Sequence, residues 1–102
     1  MKEEYKMSLG IEIIKRFDYL PEKDVPAAIK GICAEGFSVF KRDVFGRTAT
    51  MLTRNPAVIR ELKKLGADLE AVDYLGNPVL RHLKSNGYQE AYLEAYKLLQ
   101  YE

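Results

Sequence analysis

Two side chains are reactive enough to start a search for chemistry: Cys33 and His82, each the only one of its type among 102 residues. One histidine cannot build a paired-histidine metal site or a two-histidine acid–base scheme. One cysteine cannot close an intramolecular disulfide or supply the thiolates of a structural zinc site. A Cys33–His82 nucleophile pair is conceivable on paper. However, Cys33 sits between Ile32 and Ala34 on a predicted helix, where a free cysteine behaves as a small packed residue. His82 reads as a partly exposed helix residue. Gly31 and Gly36 form neither a dinucleotide fingerprint nor a P-loop. Glu3 and Glu4 read as solvated charges near a helix N-terminus. The sequence therefore predicts no catalytic residue, no metal site and no cofactor.

Apolar residues make up 47% of the chain and charged residues 30%, which is the composition of an ordinary folded domain. At this length one modest core forms without staples. The 16 basic and 15 acidic groups leave a net charge of +1, so no long-range field draws in nucleic acid. No secretory signal and no apolar run of about 18 residues is visible, so a cytoplasmic protein without a membrane span is expected.

The elements that position these residues repeat with a period of thirty. Gly36 and Gly66 stand thirty positions apart, as do Pro26 and Pro56, Ala27 and Ala57, Ile29 and Ile59, Asp43 and Asp73, and Gly46 and Gly76. Between these identities run similar pairs such as Ile32 and Leu62, Val39 and Leu69, and Phe45 and Leu75. Each copy also makes local sense. Asn55 is a good N-cap and Pro56 suits the first helical turn. Val58, Ile59, Leu62 and Leu65 then fall on one helix face, and Gly66 closes the helix. Asp43-Val44-Phe45-Gly46 and Asp73-Tyr74-Leu75-Gly76 read as tight turns. Upstream, a helix is expected from Glu3 to Phe17, carrying Met7, Ile11, Ile14 and Phe17 and weakened by Gly10. A loop over 18–24 follows it. Downstream, a last helix is expected from Tyr88 to Leu99.

The stretch from Val58 to Asn77, with its Gly66-Ala67-Asp68 stop and Asp-x-x-Gly turn, resembles the ankyrin repeat family over roughly residues 25–100. Three departures stand out. The Thr-Pro-Leu-His signature is degenerate (Thr48-Ala49-Thr50-Met51 and Pro78-Val79-Leu80-Arg81), the histidine that ties neighbouring turns in the family is absent because His82 sits one place late, and the middle unit falls about three residues short of the family's usual 33. The resemblance implies an all-α domain of stacked helix-turn-helix repeats with short finger loops. Its units would be an N-terminal capping repeat at 1–42, a central repeat at 43–72 and a C-terminal capping repeat at 73–102.

It also implies a docking surface, made of the residues flanking each finger turn and the exposed side of each first helix. Mapped onto this chain, that surface is Arg42, Val44, Phe45, Arg47, Met51 and Arg54, followed by Val72, Tyr74, Leu75, Asn77, Arg81 and Lys84. Turn tips are ordinarily polar, yet these read Val-Phe and Tyr-Leu, and aromatics and arginine dominate interface hot spots. Phe45 and Leu75 either reach a partner or fold back against the adjacent finger. Tyr88, Tyr92 and Tyr96 form a stripe that is either a cap over the preceding repeat or a second interface for self-association. The implied function is non-catalytic binding of another protein that occludes or neutralises it, as an inhibitor, immunity protein or adaptor does. The alternatives are a nucleic-acid-binding protein using the central arginines and a permanent subunit of a larger assembly.

Overall fold

Asn55 and Pro56 start the best-defined helix, and the reason is local. Proline disfavours helical backbone at the preceding residue, and Asn55 is extended at φ −95° and ψ 115°. Its side-chain oxygen accepts the Ala57 N–H at 3.0 Å. The helix runs Pro56–Lys64 (α2) and closes on Gly66, whose φ of 106° favours glycine. The Gly66 N–H meets the Lys63 carbonyl and the Ala67 N–H meets the Leu62 carbonyl. This paired closure satisfies carbonyls that the helix itself leaves open. It recurs after α1 (Val25–Ala34), where Gly36 and Phe37 bond Cys33 and Ile32. It recurs again after α3 (Val79–Ser85), where Gly87 and Tyr88 bond Lys84 and Leu83.

The computed structural model describes residues 10–101, and among them every regular element is helical. A 3₁₀ helix over Ile11–Phe17, a 3₁₀ turn at Glu22–Asp24, α1, a 3₁₀ turn at Ala49–Met51, α2, α3 and α4 (Gln89–Gln100) follow one another. The extended segments contribute a single antiparallel bridge, between Val72 and Pro78. No described helix is long and apolar enough to cross a membrane.

Two expectations change at the N-terminus. Within the described residues, the end of the helix expected over Glu3 to Phe17 is a 3₁₀ helix, Ile11–Phe17, and Gly10 stands extended ahead of it rather than inside it. Ile11, Ile14 and Phe17 are spaced by three, and side chains three apart eclipse in a 3₁₀ helix. That spacing puts Ile11 and Ile14 fully into the core with Phe17 packed beside them. Glu3, Glu4 and Met7 lie outside the described residues. The expected loop over 18–24 contains the Glu22–Asp24 turn, which runs straight into α1.

Helix α2 lies between α1 and α4, while the Ala49–Met51 turn touches both the Ile11–Phe17 helix and α3. Neighbouring positions on α2 serve two clusters. Val58 and Leu62 join Ile14, Val25, Ile29, Ile32, Phe37 and Val39, whereas Ile59 joins Leu69, Val79, Leu83, Ala91 and Ala95. Each fully buried aliphatic side chain contributes about 1.5–3 kcal/mol relative to exposure. The radius of gyration, 13.3 Å, is that of one compact body of this length.

Polar groups tie the ends to the middle. The Asn55 amide donates to the carbonyls of Phe17 and Leu20 at 2.8 and 3.0 Å. Arg60 bridges Glu22 at 2.6 Å and Glu94 at 3.1 Å. Glu94 is therefore buried and paired.

Candidate protein-docking edge

Each finger is an aspartate wrapped by its own loop. In the first, the Asp43 carboxylate accepts the N–H groups of Phe45 at 2.9 Å and Arg47 at 2.8 Å, and pairs with the Arg47 guanidinium at 2.7 Å. The Gly46 N–H returns to the Asp43 carbonyl at 2.9 Å, with Gly46 at φ 79°. The second repeats this bond for bond. Asp73 accepts Leu75 at 2.9 Å and Asn77 at 2.8 Å, and Gly76 returns to its carbonyl at 3.0 Å with φ 85°. Asn77 stands in for Arg47 on the second carboxylate oxygen, and His82 Nε2 also meets that oxygen at 2.8 Å.

These contacts lower both aspartate pKa values. At Asp43, burial opposes ionisation, but the Arg47 N–H and guanidinium and the Phe45 N–H outweigh it. At Asp73, the Asn77 N–H leads; burial opposes it, and the His82 and Asn77 side chains and the Leu75 N–H add to it. Together they bring the pKa from 3.8 to about 2. A folded pKa below the unfolded one contributes stability that is present above the unfolded value and lost as pH falls through the folded value. The second finger should thus hold above about pH 4 and loosen progressively toward about pH 2. Amide shifts of Leu75 and Asn77 through an acid titration would register it; shifts that stay constant over that window would contradict it.

The fingers are joined. The Tyr74 N–H donates to the Phe45 carbonyl at 3.1 Å. The Tyr74 ring lies on Gly46 so closely that a Cβ there would stand 2.5 Å from it. Arg42 reaches the Gly46 carbonyl at 2.7 Å and the Val72 carbonyl at 2.6 Å, stapling one finger to the extended segment leading into the next.

What remains for solvent is apolar. Val44 is 83% exposed, Phe45 62%, Tyr74 69% and Leu75 88%. Of the two arrangements open to Phe45 and Leu75, the structure takes the outward one. The Arg47 guanidinium sits 5.2 Å from the Phe45 ring centre. Val72, Arg81 and Lys84 are exposed and Asn77 half-buried, with Arg81 Nη1 3.2 Å from the Asn77 side-chain oxygen.

One expected surface residue is buried, and another, though exposed, is engaged elsewhere within the chain. Met51 is 0% exposed, because the short Ala49–Met51 turn directs it into the second core cluster, where its sulfur accepts the Thr48 N–H at 3.4 Å. Arg54 does not join Arg42 and Arg47. Its guanidinium lies between the Tyr19 and Tyr88 rings, 5.0 and 5.2 Å from their centres, and donates to the Tyr19 hydroxyl at 2.7 Å. The single central arginine cluster is thereby divided. Phe40, exposed and unanticipated, lies beside Gly66. Its signal was the charged Glu70 thirty positions on, which marks a solvent-facing place.

The tyrosine stripe splits as well. Tyr88 is half-buried beneath Lys15, which donates to its hydroxyl at 3.1 Å. Burial opposes the Lys15 charge, but that bond and Asp18 hold its pKa above the usual lysine value. Tyr92 packs on the second cluster and stacks on exposed Tyr96, with ring centres 6.4 Å apart. A cleft of about 300 Å³ beside them is lined by Leu83, Lys84, Gly87, Tyr88, Gln89, Tyr92 and Leu93. Cys33 is half-buried against the first cluster, whereas His82 is held by Asp73. Among the described residues no group of three or more His, Cys, Asp or Glu side chains converges. No family model matches the sequence, and neither a curated protein nor a solved structure matches it.

Proposed function

We propose that this chain is an ankyrin-type repeat module that binds another protein through its two fingers and acts by covering that partner's surface, without catalysis of its own. One observation carries the reading. Four apolar side chains stand outward on turns that each hold two of their own N–H groups on an aspartate side chain, so docking them costs little ordering entropy. The bond-for-bond recurrence of the turns and of the helix closures supports the repeat assignment. Arg42, Arg47 and Arg54 are all engaged within the chain, which favours a protein partner over nucleic acid.

The test is affinity capture from the native host with wild-type and Phe45→Ala/Leu75→Ala protein, chosen because both side chains are exposed and loss of either leaves no cavity. Hot-spot truncations cost about 2 kcal/mol or more, about 30-fold in affinity. A specific partner should be lost while helical circular dichroism stays unchanged. Undiminished capture would discard the finger reading.

A further inference from the structure

The two fingers are copies, but only one of them is covered. On the first, the Tyr74 ring lies over Gly46 and the Tyr74 N–H fills the Phe45 carbonyl. Thirty positions on, the matching groups are Gly76 and the Leu75 carbonyl. A Cβ built on Gly76 meets nothing within 4 Å, and Leu75 is the most exposed large apolar residue described. Among the described residues nothing donates to the Leu75 carbonyl. The occupied copy therefore shows what the open copy is shaped to accept.

Resting on the finger reading, we infer that the Leu75–Gly76 edge receives an extended segment of the partner protein, which lays an aromatic ring on Gly76 and gives its backbone N–H to the Leu75 carbonyl. The geometry needed is already built: Gly76 holds φ 85° against 79° at Gly46, and Asp73 anchors the turn as Asp43 does. In the occupied copy the ring belongs to a residue that follows the extended Val72 and opens a turn, with its own N–H on the carbonyl, so the open copy selects a planar ring preceded along the chain by extended backbone. A second copy of this chain is a poor occupant. The residue its first finger would bring to Gly76 is Val44, thirty positions before Tyr74, which offers no ring.

The chain supplies its own probe. An acetylated, amidated peptide of residues 71–77 carries the segment that covers Gly46. Titrated into the full ¹⁵N-labelled protein, it should cause saturable shifts centred on the amides of Leu75, Gly76 and Asn77. The same peptide with its tyrosine replaced by alanine should bind about five-fold more weakly or worse, the size of an aromatic contact. Gly76→Ala protein should lose the response; because that change also strains the turn, the alanine peptide against unaltered protein is the deciding comparison. Absence of shifts, shifts centred elsewhere, or equal binding of the two peptides would each overturn the inference. So would Leu75 and Gly76 shifts that depend on protein concentration without peptide, since a second copy would then be the occupant. The titration uses no partner, so a failed peptide overturns this edge and leaves finger docking standing. Undiminished capture by the Phe45→Ala/Leu75→Ala protein overturns finger docking instead.

Discussion

Met51→Ala should destabilise the protein by about 2–5 kcal/mol, the cost of emptying a fully buried site of methionine size. That is a large share of the total for a domain of this length, since folded domains are stable by only about 5–15 kcal/mol. Met51 is 0% exposed in the cluster with Ile59, Leu69, Val79 and Leu83. It is the only residue of the short central turn in that cluster, because Ala49 faces the other one. Collapse around the void is restricted by Thr50, itself buried and held at 3.0 Å from Thr48. Urea unfolding followed by circular dichroism measures the loss. A cost under about 0.5 kcal/mol, typical of surface positions, would return Met51 to the docking surface.

Asn55→Ala should cost about 2–4 kcal/mol. Loss of the helix cap accounts for about 1 kcal/mol. The remainder comes mainly from the half-buried Leu20 carbonyl, which loses the Asn55 donor at about 1–3 kcal/mol for an unsatisfied group, while the Phe17 carbonyl keeps the Leu20 N–H at 3.2 Å. Asn55→Asp separates the two roles. Aspartate still accepts the Ala57 N–H, but it cannot donate, and it sets a carboxylate against two carbonyl oxygens. Full stability in Asn55→Asp protein would show that capping alone matters and that the tie to the N-terminal helix does not.

The parts of the fold that were legible in the sequence are those whose backbone restricts residue choice. Positive φ at Gly36, Gly46, Gly66 and Gly76, and an aspartate that accepts two N–H groups of its own turn, leave few substitutes, so they recur visibly at thirty residues. Asn55-Pro56 announced α2 for the same reason. The misplaced residues depended on information no local pattern holds. The Thr48–Met51 segment is too short to show a period, and its threonines are buried despite their hydroxyls, so Met51 read as surface. Glu94 looks like any solvated acid until Arg60 arrives from α2. Arg42 looks free until its partner Val72, thirty residues away, comes alongside. Arg54 faces Tyr19 and Tyr88, from two other parts of the chain. The apolar tips were legible as residue types, but which way they turned was decided by tertiary packing.

A two-dimensional NOE spectrum puts the side-by-side fingers to the most direct test. The Tyr74 ring protons should give strong cross-peaks to the Gly46 α-protons, which the ring should also shift upfield, while the Gly76 α-protons show neither effect. Fingers that lie apart would leave the Gly46 and Gly76 α-protons alike, without a Tyr74 cross-peak, and that spectrum would contradict the stacked arrangement together with the docking edge built on it.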